Sequence, residues 1–83
     1  MPRRKTFCYM RIQEQRRLLG ARLRELRLAE GVSQEKLAEK IGRHRNYVGL
    51  LERAKQSPSL DTICRLAKAL RVRPAELLSK FPA

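Results

Sequence analysis

Few side chains in this 83-residue sequence are suited to bond-making or metal chemistry: a single histidine, His44, two cysteines, Cys8 and Cys64, and eight carboxylates. Zinc sites take four ligands at spacings such as C-x-x-C or H-x-x-x-H, and Cys8, His44 and Cys64 stand far apart with neither spacing present. His44 has no serine, cysteine or carboxylate close in sequence to complete a nucleophile–base pair. The four glycines are not clustered, so no loop is built to cradle nucleotide phosphates. The chain also lacks length for a sizeable pocket. Catalysis, a metal, a cofactor and a small-molecule ligand are all unexpected. Two cysteines are too few for a disulfide scaffold; both read as reduced thiols of a cytosolic protein.

The abundant chemistry is cationic. Lysine and arginine total 20 against eight acidic residues, a formal charge of +12, and arginines outnumber lysines 14 to 6. Arginine's planar fork suits phosphates and guanine edges. So much like charge on a short chain costs self-repulsion unless a polyanion neutralises it. Nucleic acid is the first candidate partner and an anionic membrane surface the second. A surface-bound peptide wants one continuous amphipathic helix, and Gly31, Gly42, Pro58 and Pro74 interrupt any such helix. Single-stranded RNA wants aromatic stacking platforms, and there are two tyrosines, two phenylalanines and no tryptophan. No apolar run approaches the ~18–20 residues of a membrane span, and the basic start Met1-Pro2-Arg3-Arg4-Lys5 lacks the apolar stretch of a secretory signal. A cytoplasmic location is expected.

The elements that position these cations are helical. Residues 1–14 read as a basic N-terminal arm, with Phe7, Tyr9 and Met10 among the charges, and 15–83 as one folded unit. From about Gln15, Leu19, Leu23 and Leu26 recur at steps of four and three, the period of an amphipathic helix, and Gly31 reads as its left-handed stop. Ser33 is an N-cap with Glu35 in the first turn; Leu37, Ala38 and Ile41 face inward and Gly42 ends a helix of barely two turns. An isolated helix so short is unstable in water, so packing must hold it. Tyr47, Val48 and Leu51 make the inward stripe of a third helix within residues 43–55. Ser59 caps a fourth helix carrying Leu60, Ile63, Cys64, Ala67 and Leu70. Pro74 opens a short fifth with Leu77 and Leu78 facing in. No alternation of β-branched residues occurs, so the fold class is all-α with five helices.

Residues 33–53 place two short helices on either side of Gly42-Arg43-His44. Such a pair holds the second helix out from the body, so that its polar face enters a major groove ~12 Å wide. Gly31-Val32-Ser33-Gln34-Glu35-Lys36-Leu37-Ala38, Ile41-Gly42, Tyr47-Val48, Leu51-Glu52-Arg53 and Pro58-Ser59-Leu60 together resemble the phage-repressor (XRE-type) helix-turn-helix regulators, over about residues 18–79. Arg45-Asn46-Tyr47-Val48 with Glu52-Arg53 is similar to the controller proteins of restriction–modification systems. The resemblance implies a compact lambda-repressor-like domain that regulates transcription by binding double-stranded DNA.

Carried over residue by residue, the resemblance makes Gln34 a phosphate ligand and places His44, Arg45 and Asn46, as the first residues of the third helix, at base-reading positions. Leu50 follows one turn on. Arg43, Tyr47, Arg53 and Lys55 join the phosphate set, and Arg27 with Glu52 matches an ion pair tying the first helix to the third. Each has a plainer reading. His44 equally serves as a cap, Tyr47 fits the core stripe, and Leu50 is either a thymine-methyl contact or simply exposed. Ala54 stands where relatives usually carry glycine, which questions a left-handed end for the third helix.

One recognition helix reads few base pairs; two related by a two-fold axis read a palindrome with half-sites ~34 Å apart. Leu60, Ile63, Leu66, Leu70, Leu77, Leu78 and Phe81 exceed what two terminal helices need for their own core, so a homodimer surface is expected there, internal packing being the alternative. An antitoxin using the same fold is a second reading, with residues 1–14 as its only spare segment.

Overall fold

The computed structural model describes residues 11–82. Most of the expected arm, with Cys8, lies outside the described residues. Five helices follow in order: α1 Ile12–Glu30, α2 Gln34–Lys40, α3 Tyr47–Glu52, α4 Leu60–Leu70 and α5 Pro74–Leu77, with no strand among the described residues.

Local chemistry sets the helix starts. The Arg11 amide donates to Glu14 Oε1 at 3.2 Å, one half of a capping-box exchange, and this starts α1 three residues before Gln15. The Ser33 hydroxyl accepts from the Lys36 amide at 3.0 Å, and Ser59 accepts from the Thr62 amide at 3.2 Å. Pro74 opens α5 with its fixed φ.

Four helices end alike. A residue at or just past each C-terminus takes left-handed geometry, and the next amide bonds five residues back, as in a Schellman motif: Val32 to Arg27 O at 3.2 Å, Arg43 to Ala38 O at 2.9 Å, Lys55 to Leu50 O at 2.9 Å and Val72 to Ala67 O at 3.0 Å. Gly31 and Gly42 occupy two of these left-handed positions; Ala54 and Arg71, each at φ 62, occupy the other two. α3 therefore keeps its left-handed end although it carries alanine there.

Leu19, Leu23, Leu37, Ala38, Ile41, Val48, Leu51, Leu66, Ala67, Leu70 and Leu77 form one core, with Leu26, Val32, Tyr47, Ile63, Val72 and Phe81 packed on its edge. α1 crosses α3 at Gly20, where a Cβ would stand 2.5 Å from the Leu51 carbonyl oxygen and 2.9 Å from that of Glu52. A glycine inside a strong helical pattern signals such close approach.

Burial corrects the list of dimer candidates. Leu66, Leu70 and Leu77 are 0%, 1% and 0% exposed in the single chain, so they hold α4 and α5 onto the body and offer no surface to a second copy. Leu60 at 73% and Leu78 at 39% remain outside, with Ile63 and Phe81 half-buried beside them. Cys64, expected as a small apolar helix residue, is an exposed free thiol.

Candidate nucleic-acid interface

A buried ion pair anchors the site. Arg27 Nε donates to Glu52 Oε2 at 2.6 Å and Nη2 to Glu52 Oε1 at 3.1 Å, a fork-on-carboxylate geometry. The two side chains are 8% and 4% exposed. Arg27 Nη1 also donates to the Val32 carbonyl at 2.9 Å, so the pair joins α1, the loop before α2, and α3. Arg24 Nη1 adds charge 4.0 Å from the same carboxylate.

The carboxylate reaches one residue further. Gln34 Nε2 donates to Glu52 Oε1 at 2.8 Å, which fixes the amide of the first residue of α2. Its Oε1 lies over Gly49 on α3, and Arg53 Nη1 folds over the same glycine; a Cβ there would stand 3.2 Å from the amide oxygen and 3.0 Å from the guanidinium. Two of the expected phosphate ligands thus converge beside the face of α3. Glu52's hold on Gln34 was not legible in sequence, although residues 18 apart in two helices of one motif are candidates for such contact.

The entry to α3 differs from expectation. His44, Arg45 and Asn46 precede the helix, which starts at Tyr47. They form the turn that feeds it: the Tyr47 amide donates to the His44 carbonyl at 2.9 Å, and His44 Nδ1 accepts from the Asn46 amide at 3.2 Å. His44 therefore caps this turn through one ring nitrogen. Arg45 and Asn46 are exposed, and Arg45 forms no ion pair among the described residues. Leu50 is half-buried on α3, while Val48 and Leu51 are in the core.

Arg43 is more tied down than a free phosphate ligand. Its Nη2 donates to Thr62 Oγ1 at 3.0 Å, and its guanidinium carbon sits 4.8 Å from the centre of the Tyr47 ring, a cation–π arrangement. Tyr47 is half-buried, packed on the core edge, so it serves the core stripe and carries Arg43. Lys55 is exposed just beyond the end of α3. Gln13 Nε2 donates to the Ala54 carbonyl at 3.0 Å and Arg16 Nε to Ser57 Oγ at 2.8 Å; these fasten the loop after α3 to α1. Cations and a polar amide flank a short helix on two sides, held by a buried ion pair.

A helix-turn-helix domain model matches residues 18–79. The chain belongs to the helix-turn-helix family. It is a DNA-binding transcription regulator of the XRE type. Control protein C.SmaI of Serratia marcescens is 40% identical over 73 residues, 88% of this chain and 83% of that protein. Control protein C.BamHI of Bacillus amyloliquefaciens is 44% identical over 64 residues, 76% of this chain and 79% of its own length. The crystal structure of the restriction–modification controller protein C.AhdI from Aeromonas hydrophila superposes with a TM-score of 0.72 at 50% identity, covering 75% of this chain and 94% of that one. These helix-turn-helix relatives are named as regulators and control proteins, not enzymes. No helix among the described residues is long and apolar enough to cross a membrane.

Proposed function

We propose that this helix-turn-helix regulator acts as a cytoplasmic homodimer on a palindromic operator and controls a restriction–modification or similar small operon. The carrying observation is the convergence of Gln34 and Arg53 over Gly49, next to α3 and its exposed entry turn. Arg45 and Asn46 then read base edges, with Leu50 one turn on and the exposed His44 holding the turn. Gln34, Arg53 and Lys55 hold phosphates. Arg43, braced by Tyr47 and Thr62, adds a further phosphate contact with its remaining N–H groups. The dimer uses the apolar groove lined in part by Leu19, Pro58, Ile63, Leu78 and Phe81, with Leu60 beside it on α4. The operon class rests on similarity to the three control proteins.

Selection of bound duplexes from a random pool tests this reading. A palindrome with half-sites about one helical turn apart is expected, with sedimentation near twice 9.7 kDa. Enrichment of no sequence, or a monomer that stays monomeric on DNA at ~100 µM, far above ordinary operator affinities, would overturn it.

A further inference from the structure

α4 has two unlike ends. The Arg16–Ser57 hydrogen bond sets the start of α1 beside the segment leading into α4, and there lies the apolar groove. At the opposite end Arg71 Nε stands 3.6 Å from Glu30 Oε2, at the end of α1. Here Lys40, Arg65, Lys68, Ala69 and Arg71 line a shallow concavity. All four cations are exposed. Arg71 has Glu30 as an acidic neighbour, whereas Lys40, Arg65 and Lys68 form no ion pair among the described residues.

This patch is continuous with the entry to α3. Lys40 stands three residues before Arg43, and Arg65 three residues, about one helical turn, after Thr62; the Arg43–Thr62 hydrogen bond of 3.0 Å joins the two. A row of cations therefore runs from Arg43 along the outside of α4. From Thr62 to Arg71 the helix rises about 14 Å at 1.5 Å per residue, a length comparable with several successive phosphates at 3.4 Å of duplex axis per strand. A protein partner would instead want a central apolar anchor pocket, and Ala69 is the sole apolar residue in the lining.

We propose that this row holds backbone phosphates of duplex DNA beyond the operator half-site, extending the interface without adding sequence information. The inference rests on the operator-binding reading above. A dimer built on the apolar end of α4 leaves both rows uncovered on its outer flanks.

The test compares the full-length chain with the double variants Arg65→Gln/Lys68→Gln and Arg65→Glu/Lys68→Glu. Each is titrated across a salt series on two duplexes. One is trimmed at the operator ends; the other extends about one helical turn further on each side. For the wild type, the salt slope is expected to be steeper on the longer duplex. The glutamine variant should lose that increment, about two contacts per protomer at ~0.9 each, with roughly tenfold weaker binding to the long duplex and unchanged binding to the trimmed one. The glutamate variant should lose more on the long duplex alone. Variants matching the wild type on both duplexes overturn the proposal, as does equal loss on both. If the variants match on DNA and only binding to a poly-glutamate peptide falls, the row belongs to an acidic protein partner and the proposal fails. A wild type that binds neither duplex sinks the operator reading itself.

Discussion

Arg45 and Arg53 are both exposed arginines at opposite ends of α3, and the proposed function gives them different work. Arg45 sits on the entry turn, free to reach a base edge, and Arg53 lies back over Gly49 beside Gln34. Base contacts carry discrimination and phosphate contacts carry affinity. Arg45→Ala is expected to cost ~1–3 kcal/mol at the cognate site and to flatten preference at one base position. Arg53→Ala should weaken cognate and random DNA alike and lower the salt slope by roughly one. Titration of both variants on both DNAs decides; equal losses for Arg45→Ala on cognate and random duplex would pass the reading role to Asn46 or Leu50. Glu52 works at the same scale but on the fold. Its carboxylate accepts from Arg27 twice and from Gln34 once, and removing one partner of a buried pair costs ~3–5 kcal/mol. Glu52→Gln should therefore melt more than ~10 °C below the parent; melting within a degree would show the pair to be energetically superficial. The residue types of this network were legible in sequence, and Arg27 with Glu52 followed from the resemblance. The link from Glu52 to Gln34 was not, because sequence spacing does not show that an amide at a helix start also donates to a carboxylate 18 residues away.

The helices are short, so their ends matter as much as their faces. α3 has six residues, and its closure depends on Ala54 in left-handed geometry at φ 62. That geometry costs a non-glycine residue ~1–2 kcal/mol, partly offset here because the Ala54 methyl sits in a site only 5% exposed. Ala54→Gly is expected to raise Tm by ~4 °C, close to 1 kcal/mol for a domain of this size, with operator affinity unchanged. The reciprocal change Gly31→Ala, at φ 74 with open space around the missing Cβ, should lower Tm by a similar amount through strain alone. A thermal melt of each variant checks the pair, and Ala54→Gly melting below the parent would mean that the buried methyl outweighs the strain. Caps and stops were legible: Ser33, Ser59, Pro74, Gly31 and Gly42 each mark a boundary close to where it falls. The start of α3 was not, because the turn 44–46 is closed by a histidine side chain and carries helix-compatible residues. No rule of propensity separates a helical turn from the first turn of a helix in such a stretch.

Among the described residues, α4 presents unlike surfaces at its two ends. The apolar groove lies toward the start of α4, and the cation row runs to its end and takes in Lys40 from α2. Glu25 ties the C-terminal segment to α1 through Lys80 at 3.2 Å and pairs with Arg22 of its own helix at 3.1 Å, and hydrogen bonds from Arg22 and then Lys80 hold its carboxyl below the usual glutamate value. The stabilising share of this contact is present above the ordinary glutamate range and fades as pH falls through the lowered one. If the groove is the homodimer face, Leu78→Glu places a charge in it without touching the core, because Leu78 is 39% exposed in the single chain. The variant should sediment as a monomer at micromolar concentration while keeping the parent's helicity, and operator affinity should fall at least tenfold through lost avidity. A dimer of unchanged stability would move the interface elsewhere.

Periodicity, caps and left-handed stops determined by themselves that the chain is helical, that there are five helices, and that a helix-turn-helix lies at residues 33–53. These are local properties, fixed by neighbours within about one turn. Net charge, also independent of folding, pointed to a polyanion. Tertiary structure alone decided which leucines of α4 and α5 are surface and which are core. Leu60, Ile63, Leu66, Leu70, Leu77 and Leu78 carry the same apolar signal in sequence, but packing covers Leu66, Leu70 and Leu77 and leaves Leu60 at 73% and Leu78 at 39% exposure. It likewise decided that Gly20 is a crossing point and that Lys40, two helices away from Arg65, shares a surface with it. A one-dimensional pattern records which face of a helix is apolar; how far along its length that face is covered depends on where the other helices end.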